Sequence, residues 1–453
     1  MQQTNSEKQF TRMLTTPIPR LVTAMAVPTV ISMMVTVIYN TADTYFVSQI
    51  NASASAAVGA VYPLMAVIQA VGYGLGMGSG NLVSRVLGRK EDDKASMYAS
   101  TAFFLGIGIG FLIAVLGLVA DEPILRLLGC SDTMLPYATA YARYITAAAP
   151  ISCSTFVLNN VLRAEGEARL SMWGMGIGGV INLLLDPLFI FKLGMGTGGA
   201  ALATAISQAI SFFIFLFAYL SGHSIVKLSL RAVSLKPGDC GQIFTTGFPT
   251  VARQSLGSLS AALLNNSAVV FGDAAVSAIT IANKVYVLVR NVVLGFGQGF
   301  QPVAGYNFGA GDRKRTWSAF VFTSWVGTVI CVLGTVGVFL FPREIMAWFS
   351  HEDTVIAIGM ETLRYAGAVM PFMAFSTYVN QMYQCLGFKA KATFLASCRQ
   401  GIFFVPAILL LPRFFACSGV EASQPLADLL TFVISVPFLI LFYRKEIAAY
   451  KDA

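Results

Sequence analysis

Charge is scarce in this chain: of its 453 residues only 11% are Asp, Glu, Lys or Arg, while 56% are hydrophobic. A soluble protein carries about 25% charged residues, so a water-soluble fold is excluded at the outset. Histidine is almost missing. His223 and His351 stand alone in expected loops, which leaves no imidazole cluster for a metal or a proton relay. The seven cysteines are scattered singly, with no Cys-x-x-Cys; a disulfide framework or zinc site needs paired spacing, so they read as small packing residues. No His-Glu-x-x-His, no Gly-x-Ser-x-Gly and no Gly-Lys pair occurs anywhere. Those absences remove zinc-peptidase, hydrolase-elbow and ATP-loop chemistry. A membrane enzyme would need clustered His, Asp, Glu or a nucleophile at one membrane face, and none is visible.

What the chain has is long apolar runs. The hydrocarbon core takes about 20 residues of helix. Runs of that length predict twelve membrane-spanning helices, at 18–48, 54–84, 96–119, 135–162, 170–191, 198–220, 242–270, 274–305, 316–340, 355–384, 392–412 and 419–443. The expected fold class is all-α and integral to the membrane, with no soluble domain. The first seventeen residues are polar without a signal-peptide pattern, which predicts an uncleaved first helix and a cytoplasmic amino terminus. Basic residues agree. Arg89, Lys90, Lys94, Lys227, Arg231, Lys236, Arg313, Lys314, Arg315, Lys389, Lys391, Arg444 and Lys445 fall on the side shared by both termini, the cytoplasmic side by the positive-inside rule. The expectation is a monomeric, multi-pass protein of the inner (plasma) membrane, both termini cytoplasmic. The net charge of +8 then reports topology and contact with anionic lipid, and no nucleic-acid partner is expected.

Two Gly-x-Gly-x-x-Gly matches, Gly174/Gly176/Gly179 and Gly194/Gly196/Gly199, lie in or beside apolar helices. A dinucleotide fingerprint sits between a strand and a helix, so close helix packing is the better reading of both. The chain also repeats itself. A shift of 221 residues aligns Pro28 with Pro249, Pro150 with Pro371, Arg143-Tyr144 with Arg364-Tyr365 and Asn159 with Asn380, and brings Gly74, Gly76 and Gly78 onto Gly295, Gly297 and Gly299. Rare residue types holding one register mark an internal duplication. Each copy has six helices and hence one orientation. The prediction is two parallel six-helix bundles related by a pseudo-twofold along the membrane normal, with alternating access between them. The expected boundaries are 1–222 for the first lobe, 223–238 for a cytoplasmic linker and 239–453 for the second lobe.

The segments PTVISMMVTVIYNTAD (Pro28 to Asp43), SRVLGRKEDDKA after helix two, PVAGYNFGAGDRKRT after helix eight and VLNNVLRAEGEARL closing helix four resemble the multidrug and toxic compound extrusion (MATE) transporters over essentially the whole chain. The resemblance implies an ion-coupled exporter of amphipathic, often cationic compounds that uses proton or sodium and no other cofactor. A lipid or lipid-linked oligosaccharide flippase of the same superfamily is the alternative. Pro28 resembles the position at which the family's first helix bends.

Symmetry breaking points to the chemistry. Under the 221-residue shift Asp43 faces Leu264, Asn182 faces Phe403, Asp186 faces Ala407 and Thr204 faces Pro425, so only the first lobe keeps a polar site. Carboxylates in the hydrocarbon region cost about 2.5–3.5 kcal/mol and usually serve ions, protons or substrate. Asn182 and Asp186 share a helix face, as do Asn40 and Asp43. With Asn159 and Thr204 they make a set of oxygens and amides that could surround one cation, and the same positions resemble the family's first-lobe cation site. Two close carboxylates disfavour double ionisation, which suits a proton; hard oxygens from Asp43, Asn182 and Asp186 suit sodium. Met33, Tyr39, Asn40, Phe156, Met175 and Tyr378 are candidates for an adaptable substrate cavity. The second lobe lacks the carboxylates of sodium-type relatives and instead holds Arg253, Lys284, Arg290 and Arg399 within its helices, which leaves an anionic or zwitterionic substrate open.

Overall fold

Apolar stretches this long have one way to satisfy their backbone in a membrane, the helix, and helix is what they form. The computed structural model describes residues 5–448, among which there is no strand. An amphipathic α1 (Asn5–Thr15) precedes α2 (Ile18–Ser48), α3 (Ala52–Gly88) and α4 (Asp92–Val119). A short α5 (Asp121–Leu127) leads to α6 (Leu135–Ala147) and α7 (Ala149–Ala164), then α8 (Ala168–Pro187), which runs into a π turn at Leu188–Lys192, and α9 (Gly196–Leu220). After the linker come α10 (Pro237–Val269), α11 (Asp273–Gly309), α12 (Arg313–Leu340), the short α13 (Pro342–Ala347) and α14 (Asp353–Leu386). The chain closes with α15 (Lys389–Ser397), a π turn at Cys398–Ile402, and α16 (Phe404–Phe442), which passes into a last π turn at Tyr443–Ala448.

Eight of these segments are long and apolar enough to cross a membrane, and the pair α6–α7, bent by 50°, makes a ninth. The long α10 and α14 supply two more, and the segment from Lys389 to Ala448 contains two passes, because α16 is broken at Ala416 (φ 50°, ψ −130°). Twelve passes result, as the sequence predicts. The differences are local and have causes. The fourth predicted span is two helices, since Pro150 in the first turn of α7 has no N–H to continue α6. The loop expected at 413–418 is a break at one residue. The polar first seventeen residues hold a helix that buries Gln9 and Met13.

Two compact units partition the described residues: 5–16 with Val27–Val251, and Pro17–Ala26 with 252–448. These limits differ from the lobes expected at 1–222 and 239–453, because each repeat's first helix is divided next to its proline, Pro28 in α2 and Pro249 in α10. Within the first unit α10 crosses α3 at backbone contact. A Cβ at Gly247 would lie 1.9 Å from the Gly74 carbonyl oxygen, and one at Gly78 would lie 2.3 Å from that of Ile243. Within the second unit the segment before Pro28 meets α11 the same way, with a Cβ at Gly299 only 2.3 Å from the Ala26 Cα. The register of 221 residues maps Ala26 onto Gly247 and Gly78 onto Gly299, so both units use one crossing.

One end of the first unit gathers α1, the α3–α4 and α7–α8 turns and the linker. Ser6 donates to Asp92 at 2.6 Å, Gln9 to the Glu165 carbonyl at 2.9 Å, and the Lys227 amide to Ser96 at 3.1 Å. The Glu165 side chain is fully buried and accepts from the Ser224 hydroxyl and, at 2.8 Å, from the Ile225 amide. Burial pushes its carboxyl up to about 8. The folded state therefore holds a proton that the unfolded chain loses above about pH 4.5, so this group subtracts stability progressively as pH rises towards 8. Glu165→Gln keeps the acceptor and removes the titration. We expect wild-type thermal stability in detergent to fall between about pH 5 and 8, and the Gln variant to flatten that slope by a few degrees; identical slopes would show that Glu165 is solvated in practice.

Candidate functional site

The polar residues of the first unit meet where α2, α8 and α9 pack together, and glycines on α8 permit the approach. A Cβ at Gly174 would lie 2.0 Å from the Phe215 ring, one at Gly178 2.1 Å from the Ser211 hydroxyl, and one at Gly179 2.6 Å from Val35. Gly174 and Gly179 of the first glycine motif thus pack closely, as expected, whereas Gly176 faces open space. The second is mostly a turn: Gly194 (φ 66°) and Gly196 (φ 57°) have open space at Cβ, and only Gly199 packs, against the Phe189 backbone.

Asp186 and Asn182 are inaccessible to solvent on the inner face of α8, and Asp43 on α2 is half-buried. The two carboxyl groups are within electrostatic reach of each other and of Tyr141, and Asp43 also of Tyr39. Asn182 donates from Nδ2 to Asp186 Oδ1 and to Thr204 Oγ1, both at 3.4 Å, so these bonds are long and weak. Buried oxygens meanwhile lack any donor: Asp43 Oδ1, Asn182 Oδ1, Asp186 Oδ2, Ser207 Oγ and Gln208 Oε1. Each unsatisfied acceptor costs about 1–3 kcal/mol. That many around two carboxyl groups is a donor set for a proton or a hard cation. A cavity of about 50 Å³ lies among Asp43, Asn40, Tyr39, Thr204, Phe156 and Gln208, and a smaller one of about 10 Å³ among Asn182, Thr204, Ser207, Gln208 and Met175. Such volumes admit an ion and water; a drug-sized ligand needs about 300 Å³ or more.

Asp43, Asn182, Asp186 and Thr204 are therefore brought together, with Tyr39, Asn40, Phe156 and Met175 on the cavity walls. Asn159 is not. Its carboxamide oxygen accepts from Ser171, fifteen residues before Asp186 on α8, about 22 Å away at 1.5 Å per residue. Tyr378 stands apart too, fully buried in the second unit with its ring against Gly297 and Gly327. Met33 is half-buried and lines neither cavity. Ser207 and Gln208 were missed. The signal was present: Thr204, Ser207, Gln208 and Ser211 recur at helical spacing as one polar stripe on α9.

The sequence pattern of the MatE family matches residues 28–188 and 249–409. The chain belongs to the MatE family. The two matched stretches are 221 residues apart at both ends, the offset of the internal repeat. Among curated relatives, the multidrug export protein MepA of Staphylococcus saprophyticus is 26% identical over 93% of each chain, and MepA of Staphylococcus aureus strain N315 is 24% identical over 91% of each. A solved structure described as the outward-facing conformation of a multidrug resistance MATE family transporter matches at TM-score 0.91, with 24% identity and full coverage of both chains. This MatE protein is a multi-pass membrane transporter rather than an enzyme.

Proposed function

We propose that this MatE protein is a cation-coupled exporter of amphipathic, often cationic compounds in the plasma membrane, working by alternating access, with Asp43 and Asp186 as the coupling acids. The carrying observation is the set of donor-less oxygens around those two acids. The MepA relatives are multidrug export proteins, which favours this reading over a flippase. The site holds its proton or sodium in a space too small for a drug, so substrate competes for the acids in a state where the walls have parted. Entry of one positive charge supplies about 2.3 kcal/mol per 100 mV, enough for a gradient of roughly fiftyfold. Proteoliposomes with imposed proton or sodium gradients, loaded with a fluorescent organic cation, should export it under at least one gradient. Export indifferent to both gradients and to membrane potential would sink the coupling.

Orientation follows from the basic loops. The end of the first unit that gathers α1, Lys90 and Lys227 belongs in the cytoplasm by the positive-inside rule; Met1–Thr4 and the residues after Ala448 lie outside the described residues. In a cysteine-free background, Lys236→Cys should be protected from an impermeant thiol reagent in intact cells, and Met195→Cys should be labelled. The reverse pattern would invert the topology.

A further inference from the structure

Away from the coupling acids the first unit holds a larger cavity with a positive lining. About 700 Å³ opens among Lys8, Arg12, Glu167, Arg169, Trp173 and His223. Two helices and the start of the linker build it. Lys8 and Arg12 are four residues apart on one face of α1, and Arg169 and Trp173 are four apart on one face of α8. Gln9 and Asn5 fix α1 in place, the first donating to the Glu165 carbonyl at 2.9 Å and the second to that of Gly222 at 3.4 Å. On the linker side Ser221 Oγ and His223 Nδ1 lie 2.8 Å apart.

The lining is unbalanced in charge. Lys8, Arg12 and Arg169 face a single carboxylate, Glu167, which Arg12, His223 and Arg169 reach electrostatically. Among the described residues none of those three cations is in an ion pair. α8 begins here, and Glu167 at its N-cap makes no capping bond, so the first amides of the helix add positive potential. Basic residues that only set topology can sit on any exposed loop. These line a concavity, which suits an anion.

Location indicates where the anion comes from. Residues 168–192 are long and apolar enough to cross a membrane, so Arg169 and Trp173, near the start of that span, stand at the membrane boundary. Trp173 is 61% exposed, and an indole at that depth meets lipid headgroups. Along α8 the cavity is about 25 Å from Asp186 at 1.5 Å per residue, clear of the coupling acids.

We propose that this cavity binds the phosphodiester headgroup of an anionic phospholipid from the adjoining leaflet. Arg12 and Arg169 fork onto phosphate oxygens, Lys8 adds a point charge, Trp173 packs beside the glycerol backbone, and Glu167 orients the two arginines. The site goes beyond the export reading, and its test uses no ion gradient, so the two can fail separately.

Native mass spectrometry of the purified protein in detergent, titrated with phosphatidylglycerol or with phosphatidylcholine, is the test. Both lipids carry a phosphodiester, and only the first has a net negative charge. One phosphatidylglycerol should bind at least about tenfold more tightly than phosphatidylcholine. Arg12→Gln and Arg169→Gln should each lower its affinity about fivefold, and the triple variant Lys8→Gln/Arg12→Gln/Arg169→Gln should lose the preference. Arg231→Gln/Lys236→Gln, which removes charge from the linker outside the cavity, should keep it. Equal affinity for the two lipids would overturn the proposal, as would a wild-type preference in the monodisperse triple variant or an equal loss in the linker control. Displacement of phosphatidylglycerol by millimolar inorganic phosphate at matched ionic strength would assign the cavity to soluble phosphate and overturn the lipid.

Discussion

Asp43→Asn and Asp186→Asn should each give a protein that inserts and folds normally yet exports at background level. The amide keeps size and hydrogen bonding and removes the charge that ion and substrate exchange over. Asp43 lines the larger cavity and acts electrostatically on the buried Asp186, and both carry a donor-less oxygen, so they should act as a unit, and the double variant should be little worse than the worse single one. Asn182→Ala should weaken ion dependence less, because its bonds to Asp186 and Thr204 are long. Asn159→Ala should leave ion dependence near wild type, since the structure ties that residue to Ser171 instead. Substrate accumulation in cells, ion flux in vesicles and expression level would be measured for each variant. Wild-type ion-driven export in both single Asn variants would reduce these acids to structural residues.

Gly247→Leu should abolish a monodisperse protein altogether. The atoms facing its missing Cβ are the Gly74 carbonyl oxygen at 1.9 Å and carbon at 2.7 Å, so no rotamer change relieves the clash and α10 must lift off α3. Overpacking costs about 1–3 kcal/mol where side chains can yield, and backbone cannot, so the effect exceeds that range. Gly108→Leu and Gly176→Leu, whose Cβ positions have nothing within 4 Å, are the controls and should purify like wild type. Size-exclusion profiles after extraction decide the matter; a normal profile for Gly247→Leu would mean the crossing is looser than described.

Much of this was legible in the chain itself. Helix length is set by the bilayer, so twelve passes could be counted; the repeat was carried by prolines and glycines whose backbone roles tolerate few substitutes; and two acids in apolar runs announce themselves. What stayed hidden depends on which helices touch. Spacing places Asn182 and Asp186 on one face, but nothing in one sequence says that Asn159 points to Ser171, or that Tyr378 fills the space left by Gly297 and Gly327. Single-residue events were equally invisible, such as the break at Ala416 and the π turn that carries Arg399. The polar stripe on α9 was readable and was passed over because Ser207 and Gln208 carry no charge.

The division of α2 and α10 at their prolines also constrains synthesis. A ribosome that has released residues 1–222 has delivered six membrane helices and still not completed a compact unit, because the first unit awaits residues as far as Val251. Residues 17–26 must in turn wait for partners that emerge only after Ala252. The early product is therefore an unfinished body with an orphaned segment: the first unit can close once Val251 has emerged, whereas residues 17–26 stay without their partners until later.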